Sequence, residues 1–420
     1  MPGGFDKIGV FVAGGPAAGI NAVIKGIVQE ADNAGVRVMG FLNGAKGLVD
    51  GRFVHLTRER VEDVHILGGS IIGTSRYRID DRGEDLARIC GHLQREGIDG
   101  LISIGGEGTL QLADRLRQTG LRVVHVPKTI DNDIAGVEQS FGYDTAVHEA
   151  ARMLTAIKLD AEASGHWFVV EIMGRYAGHL ALEAGLAAGC TRVLIPEEGS
   201  IDVGELAELV RTRAASGLNW GVVLVAESAH FGDGHLTRYG RLGGISDALA
   251  ERLERACAES SPVAVRTSNL GYFLRCAEPT GFDRSYAAKL GQGATRFILD
   301  PERTGHMVTV EGDTFRAVPM EEVAGKVKLV DLDGVRYRAL QAAAAYESAR
   351  ADLDAQQRTW EAAPHSIGWL DRNTSMETLS SVAMRLGVGT DDLLKVLEDL
   401  SDAATGSAGP ALACPTPRNS

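Results

Sequence analysis

The residues best suited to chemistry in this sequence lie in one stretch, Leu101–Asp133. Its first part is a short apolar run, Leu101–Ile104, that stops at glycines, as a buried parallel strand does when it meets a ligand loop. Glycines let the backbone approach a phosphate closely, and the N–H groups at the start of a helix attract anions. We expect the next helix to begin near Thr109. The pattern predicts a phosphate-binding loop that contains Gly105, Gly106 and Gly108.

The second part of this stretch carries charged and polar side chains. An apolar strand, Val123–Val126, ends at Pro127. Four polar residues follow within one short loop: Lys128, Thr129, Asp131 and Asp133. A single carboxylate in a loop is more often a helix cap or a surface ion pair, but this concentration after a buried strand favours a site. Neighbouring parallel strands end at the same edge of a sheet, so the loop should face the glycines and form a phosphoryl-transfer site.

The side chains of these loops suggest distinct roles. Asp131 is the best candidate for the general base that accepts a proton from a substrate hydroxyl, because its loop faces the glycines. Asp133 could orient an arginine, and Lys128 adds a positive charge. Glu107, which lies among the glycines, can hold a hydrated magnesium ion through its carboxylate oxygens.

Two further glycine-rich turns follow predicted strands or loops. Lys7–Ala13 reads as a strand and leads into a turn that is as often a packing turn as a phosphate site. The segment Ile66–Arg78 is a glycine-rich loop with two arginines, of which Arg78 is best explained as a surface charge. Arg76 directly follows the glycines, so we expect it to shield charge on a phosphoryl group. The glycines of the first turn are Gly14, Gly15 and Gly19.

Strands and helices alternate through the second half of the chain as well, which predicts a second α/β domain. A glycine-containing turn after one of these strands contributes Arg175, a second cation for the phosphoryl group. The segment NGAKGLVDG and the polar segment Gly232–Arg241 are expected to be loops. The predicted strands are Phe168–Ile172, Arg192–Ile195, Val222–Ala226 and part of Ala264–Arg275.

Composition narrows the class of protein. The chain has 420 residues, of which 44% are hydrophobic and 24% charged, as in an ordinary globular protein with more than one core. Its formal net charge of −13 argues against nucleic-acid binding. Five cysteines without metal-ligand spacing indicate reduced thiols. We find neither a signal-peptide pattern nor an apolar run of membrane-spanning length, and therefore expect a cytoplasmic protein that binds no membrane.

The C-terminal part differs in composition from the rest. Residues 346–403 are predicted to form a helical extension, and residues 404–420, rich in Gly, Ser and Pro, a disordered tail. Two short predicted helices in the extension have the spacing of a DNA-binding helix-turn-helix. The extension is acidic, however, and we interpret it as a packing or assembly segment.

Four motifs together resemble the phosphofructokinase family: GGEGTL, PKTIDND, GTSR and EIMGRYAGHLAL. The similarity runs from about residue 7 to residue 290. It implies a fold of two Rossmann-like three-layer α/β domains, followed here by the helical extension. We expect a donor-binding domain over residues 1–145, completed by part of 260–310. A sugar-phosphate domain is expected over residues 146–260, completed by part of 310–345.

The resemblance also implies roles for individual residues. Asp131 would accept the proton of the sugar 1-hydroxyl, with support from Thr129 and Asp133, while Arg76 and Arg175 would stabilise the transition state and Glu107 would lie at magnesium. The donor would contact Gly15, Arg76, Gly106, Gly108, Thr109 and Lys128. The sugar phosphate would contact Thr129, Asp131, Met173, Gly174, Arg175, Glu227, Tyr272 and Arg275. His166 and Arg266 would complete the pocket of a neighbouring subunit, which implies a homodimer or homotetramer.

Some positions depart from the common pattern of the family. His166 replaces an arginine and Tyr272 a histidine, which leaves the sugar open to alternatives such as sedoheptulose 7-phosphate. Family members that use pyrophosphate usually carry an aspartate at position 108, so Gly108 favours ATP. Lys128 is more typical of the pyrophosphate users. We favour an ATP- and Mg²⁺-dependent kinase of fructose 6-phosphate, with pyrophosphate as the alternative donor and a non-catalytic homologue as a disfavoured third reading.

Overall fold

The structure, a computed structural model, describes residues 5–80, 83–238, 241–258 and 263–344. The predicted helical extension over 346–403 and the disordered tail over 404–420 lie outside these residues. Within them, no helix is both long enough and apolar enough to cross a membrane.

The described residues alternate between strands and helices along most of their length. The strands are β1 (Lys7–Val12), β2 (Arg37–Phe41), β3 (Phe53–Leu56), β4 (Gly100–Gly105), β5 (Val123–Pro127), β6 (Trp167–Ile172), β7 (Arg192–Leu194), β8 (Gly221–Ala226), β9 (Thr237–Arg238), β10 (Arg241–Leu242), β11 (Val265–Asn269), β12 (His306–Glu311) and β13 (Thr314–Pro319). The α-helices are α1 (Ile20–Asn33), α2 (Ala45–Asp50), α3 (Glu84–Glu96), α4 (Glu107–Gln118), α5 (Tyr143–Ser164), α6 (His179–Ala188), α7 (Val203–Ala215), α8 (Ile245–Cys257), α9 (Gly281–Leu299) and α10 (Met320–Val323).

Seven strands form the first sheet, in the order β13-β12-β5-β4-β1-β2-β3. The strands from β12 to β2 run parallel, and β3 and β13 are antiparallel edges. Gly105 pairs with Pro127, and Val12 pairs with Ile104, so β1, β4 and β5 end at the same level. The loops that follow these three strands therefore emerge together at one edge of the sheet.

Four parallel strands form the second sheet, in the order β11-β6-β8-β7. Ile172 pairs with Ala226, and Asn269 pairs with Glu171, so the turns after β6, β8 and β11 again share an edge. Both sheets have buried, apolar strands with helices packed against them. The predicted α/β fold is confirmed, and it contains two main sheets.

Helix α9 packs closely against α1, which is possible only because glycines lie at the contact. A Cβ at Gly26 would lie 2.2 Å from the carbonyl oxygen of Ala288, and one at Gly291 would lie 2.2 Å from that of Val23. With α9 the chain thus returns to the first sheet, to which the hairpin of β12 and β13 also belongs. Tyr337, further on, is buried in the core of the second sheet.

Three local predictions need correction. The segment NGAKGLVDG contains the short helix α2, and its pattern was obscured by Gly47, where a Cβ would lie 1.9 Å from the carbonyl oxygen of Leu42. The polar segment Gly232–Arg241 contributes to a small antiparallel pair, β9 with β10. Helix α4 begins at Glu107 and not near Thr109, because Gly106 already serves as its N-cap residue.

Candidate active site

The phosphate loop predicted from the sequence lies between β4 and α4. Glu107 and Gly108 are the first two residues of the helix, and the N–H groups of a first helical turn have no acceptor within the helix. Gly105 must be a glycine, because its Cβ would lie 2.2 Å from Thr109 Oγ1. At Gly108, in contrast, a Cβ would meet nothing within 4 Å. The loop therefore offers N–H donors and an open space in front of them.

A second glycine turn, at Gly14 and Gly15, is fixed by its carbonyl groups. Thr74 Oγ1 donates to the carbonyl oxygen of Gly14 at 2.9 Å. Lys128 Nζ donates to the carbonyl oxygen of Ala13 at 3.2 Å and also to that of Gly15. This bonding ties the turn after β1 to the loop after β5. The orientation of the turn thus depends on a lysine that is only 3% exposed.

Burial has a large effect on the charge of Lys128. It lowers the pKa of the ammonium group to about 7, and the cations of Arg275, Arg76 and Arg175 contribute, while Asp131 opposes the shift. A buried ammonium group surrounded by guanidinium groups is poised to gain stability from an anion. The electrostatics of this edge therefore favour a negatively charged ligand.

Two arginines lie over the same glycine turn. A Cβ on Gly15 would be 3.5 Å from Cζ of Arg275 and 3.6 Å from Nη2 of Arg76. The Arg275 guanidinium lies over the ring of Tyr272, 4.8 Å from its centroid. Burial and the Arg76 cation lower the pKa of Arg275. The structure therefore brings the predicted Arg76 and Arg275 together, although they are about 200 residues apart in sequence.

The two carboxylates follow β5 in a tightly bonded loop. The backbone N–H of Asp131 donates to Thr129 Oγ1 at 3.0 Å. Asn132, between the carboxylates, has a left-handed backbone with a φ of 55°, and its Oδ1 accepts the N–H of Ser140 at 3.1 Å. Asparagine tolerates this conformation better than most residues. These contacts fix the backbone that connects Asp131 to Asp133.

Both carboxylates hold their protons more strongly than usual. Burial and the neighbouring Glu227 raise the pKa of Asp131, against the opposing charges of Arg175 and Arg275. Burial and the Asp131 charge raise the pKa of Asp133 to about 6. A raised pKa makes an ionised aspartate a stronger base, so this loop has the proton affinity that a general base requires.

The turn after β6 presents Arg175 from the second sheet. Glu227, at the end of β8, accepts the N–H of Arg175 at 2.9 Å and that of Gly174 at 3.3 Å through Oε1. Burial raises the pKa of this carboxyl group. Arg175 has a φ of 52°, a conformation that non-glycine residues adopt only when the surroundings enforce it. Partly buried Met173 leads into this turn and packs against the core of the second sheet.

Two predicted site residues, His166 and Arg266, lie at the opposite end of the second sheet from the turn with Arg175. Arg266 Nη2 is 3.3 Å from His166 Nε2, at the beginning of β11 and β6. The turn that carries Arg175 follows the other end of β6, roughly 20 Å away at about 3.3 Å per residue. Within one chain, exposed Arg266 and half-buried His166 therefore form a pair that is separate from these turns.

Glu107, the first residue of α4, is the carboxylate of the phosphate loop itself. Its Oε1 accepts from Gln111 Nε2, and its charge contributes to the raised pKa of Asp133. Among the described residues, no group of three or more His, Cys, Asp or Glu side chains is arranged to hold a metal. Magnesium commonly needs only one or two carboxylates, with substrate phosphates and water as its other ligands.

Some contributing residues were missed in the sequence. Thr74 and Ser75 hold Gly14, with Gly14 N donating to the Ser75 carbonyl at 3.0 Å. They lie in the GTSR motif, directly before Arg76. Asn132 lies inside PKTIDND, and an asparagine between two aspartates in a loop is itself a signal for a left-handed turn.

A parallel α/β fold with glycine turns, cations and carboxylates at shared sheet edges defines a class of phosphate-binding transferases. Comparison with known proteins narrows this class. Residues 7–298 match the family model described as Phosphofructokinase. The chain belongs to the phosphofructokinase family.

Curated relatives agree with this assignment. ATP-dependent 6-phosphofructokinase 2 of Streptomyces coelicolor is 40% identical over 338 residues, which cover 78% of this chain and 97% of that protein. The pyrophosphate–fructose 6-phosphate 1-phosphotransferase of Amycolatopsis methanolica is 35% identical over 334 residues, covering 77% and 96%. Relatives named for each of the two donors thus have comparable identity.

Solved structures support the fold. The T-state phosphofructokinase of Pichia pastoris aligns with a TM-score of 0.69 at 24% identity, covering 83% of this chain and 38% of that one. A pyrophosphate-dependent phosphofructokinase of Marinobacter aquaeolei aligns with a TM-score of 0.69 at 21% identity, covering 81% and 91%.

Proposed function

We propose that this protein transfers the terminal phosphoryl group of ATP to the 1-hydroxyl of fructose 6-phosphate, producing fructose 1,6-bisphosphate in glycolysis. The observation that carries the proposal is the meeting of two loops at one sheet edge, where Gly105 pairs with Pro127. The phosphate loop follows the first of these residues, and the loop with Asp131 follows the second. A donor and an acceptor bound there would lie next to each other.

Asp131 is proposed as the general base. Its carboxylate accepts the proton of the 1-hydroxyl as the hydroxyl oxygen bonds to the terminal phosphorus and the bond to the bridging oxygen of ADP breaks. Thr129 and Asp133 support the loop on either side. The raised pKa of Asp131 supports this role, because proton affinity increases with pKa.

Cations from both sheets neutralise the transferred group. We assign charge stabilisation to Arg76, which lies over Gly15, and to Arg175, which Glu227 orients. The donor phosphates are assigned to Gly15, Gly106, Gly108, Thr109 and Lys128. Glu107 would hold magnesium, which would reduce the charge of the donor phosphates when bound.

The acceptor is assigned to the turns of the second sheet. Met173, Gly174, Glu227, Tyr272 and Arg275 would contact the sugar phosphate. His166 and Arg266 lie too far from these turns to serve the same pocket. We therefore assign them to the pocket of a neighbouring subunit, in a homodimer or homotetramer. Because its substrates are metabolites held inside the cell, we also propose a cytoplasmic location.

A second donor has specific support. Lys128 provides a buried ammonium group beside the glycine turn, and some relatives are named for pyrophosphate. The same site would then transfer a phosphoryl group between pyrophosphate and fructose 6-phosphate. The open space at Gly108 favours the larger ATP.

The test is a set of assays of the purified full chain with Mg²⁺. We expect kcat/KM with ATP to exceed that with pyrophosphate, and kcat/KM with fructose 6-phosphate to exceed that with sedoheptulose 7-phosphate. Turnover with pyrophosphate but not with ATP would show that pyrophosphate is the donor. A higher kcat/KM with sedoheptulose 7-phosphate would show that this sugar phosphate is the acceptor. Binding of sugar phosphate without any turnover would indicate a non-catalytic homologue.

Sharing of sites between subunits predicts complementation. Asp131→Asn and Arg266→Ala chains, co-expressed with different tags, would form hybrids in which one site of each pair has both native residues. We expect the isolated hybrid to recover about half of the wild-type activity at low fructose 6-phosphate, as two-fold symmetry requires. A hybrid of Asp131→Asn with Arg175→Ala is the control. Each of these changes affects the site of the chain that carries it, so neither site of the pair would keep both native residues. Equal activity of the two hybrids would refute the shared pocket.

A further inference from the structure

A segment far from the site motifs contacts the carboxylate loop. Residues 326–330, which we call the strap, follow α10 and run alongside this loop. Val327 forms an antiparallel bridge with Ile134. The backbone N–H of Lys328 donates to the carbonyl oxygen of Asp133 at 2.8 Å. The strap is therefore attached to the backbone of the residue that follows Asn132.

The side chain of Lys328 makes the strongest connection. Its Nζ donates to Oδ1 of Asn132 at 3.0 Å, and to the carbonyl oxygens of Val137 and Glu138, each at 2.9 Å. An ammonium group has three N–H donors, and each of these contacts uses one. Lys328 thus links the turn that contains Asn132 to the segment that follows it.

Asn132 has a left-handed backbone that its side-chain partners support. A φ of 55° is tolerated by asparagine but avoided by most other residues except glycine, and it sets the course of the chain between the two aspartates. Its Oδ1 accepts both Lys328 Nζ and the N–H of Ser140. Since Asp131 and Asp133 flank it, rotation of this one residue would redirect both carboxylates.

The strap is also fixed on its other side. His179 Nε2 donates to the carbonyl oxygen of Lys328 at 3.1 Å, and the N–H of Val330 donates to Glu197 Oε1 at 2.9 Å. Glu197 accepts the N–H of Gly178 as well. Gly178 and His179 lie at the beginning of α6, a few residues after Arg175. The strap therefore contacts the carboxylate loop of the first sheet and the arginine-bearing segment of the second.

The pKa of Lys328 lies below that of an exposed lysine but above neutral pH. Burial lowers it to about 8, and Arg336 contributes, while Asp133 and Glu138 oppose the shift. At pH 7 the ammonium form, with its three donors, therefore predominates.

We propose that Lys328 is a positioning residue for phosphoryl transfer, which holds Asn132 in its left-handed conformation and thereby aims Asp131 and Asp133 at the phosphate loop. The proposal rests on the proposed function of the carboxylates. Lys328 itself is bonded to protein atoms through all three donors, so it acts through the loop.

Lys328→Met tests the proposal, because methionine keeps much of the length and loses the donors. We expect kcat to fall by about 10–100-fold, since a displacement of about 1 Å can cost that much. KM for fructose 6-phosphate should change by less than about threefold, because its proposed contacts lie mainly on the second sheet. Lys328→Arg should recover much of kcat. Lys326→Met, an exposed lysine on the same strap, is the matched control.

The outcomes separate the two proposals. An inactive wild-type protein would refute the proposed function, whereas an active wild type with equal kcat in Lys328→Met would refute the positioning role. A rise in KM with unchanged kcat, or an equal loss in Lys326→Met, would also refute it. If Lys328→Met does not fold, Lys328→Gln and Lys328→Arg replace it. The expected order of kcat is then wild type, Arg, Gln, and three equal values would overturn the proposal.

Discussion

Replacing Asp131 with asparagine is expected to lower kcat by about 10²–10⁴-fold, the usual contribution of a general base. Asparagine has nearly the same shape but cannot accept the proton of the sugar hydroxyl. The loop should keep its conformation, because the bond from residue 131 to Thr129 Oγ1 uses the backbone N–H. Positioning and charge stabilisation by Arg76 and Arg175 would remain and account for the residual activity.

Binding and turnover must be measured separately to interpret this variant. We expect calorimetry to give a Kd for fructose 6-phosphate within about threefold of wild type, because the phosphate of the sugar does not contact the base. Asp313→Asn, an exposed change in the turn between β12 and β13, is the control and should turn over normally. An Asp131→Asn protein with wild-type kcat would show that another group accepts the proton.

The pH profile provides a second measurement on the same residue. Burial raises the pKa of Asp131 above its ordinary value of 3.8, so protonation should inactivate the free enzyme at a higher pH than for an exposed aspartate. Activity is present above the raised pKa and is lost as the pH falls through it. We expect kcat/KM of the wild type to show this acid limb. In Asp131→Asn the limb should move to lower pH, because only Asp133 remains in the loop and the Asp131 charge no longer raises its pKa.

The sequence predicted the elements that carry the site because each has a local signal. Strands β4 and β5 are apolar runs that end at Gly105 and at Pro127, where the strand pattern stops. The alternation of strands and helices was enough for the fold class, and parallel pairing then placed both loops at one edge. These features depend on neighbours within a few residues, which a sequence displays directly.

Features that depend on distant contacts were not predictable in this way. Lys328 has no local signal, because its three acceptors lie about 190 residues earlier in the chain. The hairpin of β12 and β13 completes the first sheet after the chain has built the second. Helix α2 was missed because Gly47 weakens the helical pattern. A glycine is required at this position by its close contact with the backbone of Leu42. In each case the cause is tertiary packing.

Within the site, too, the sequence indicated which residues take part, whereas their contacts depend on distant parts of the chain. Glu227, at a strand end, was assigned a site role only through the family resemblance, and its contacts with the N–H groups of Gly174 and Arg175 appear only in three dimensions. The same holds for Lys128, whose bonds to two carbonyl groups of the first glycine turn make it part of the donor loop. The residue types show the charges of Glu227 and Lys128, but only the structure shows their hydrogen-bond partners.

Replacing Gly108 with aspartate is expected to reverse the choice of donor. Gly108 is the second residue of α4, where a carboxylate suits the helix dipole, and the space for its side chain is open. The backbone there has no positive φ, so the variant should fold normally. The new charge would lie beyond the phosphate loop, where ATP continues into its α-phosphate and pyrophosphate does not.

We expect kcat/KM with ATP to fall by about 10²–10³-fold in Gly108→Asp, because like charges in contact cost several kcal/mol. With pyrophosphate the change should be less than about tenfold, since that donor ends before the new carboxylate. Gly108→Asn is the matched control: it adds the same volume without the charge and should lose far less activity with ATP. Equal losses in the two variants would assign the effect to volume. If Gly108→Asp instead uses ATP as well as the wild type does, the nucleotide does not pass Gly108. A carboxylate next to the ATP phosphates would necessarily lower kcat/KM.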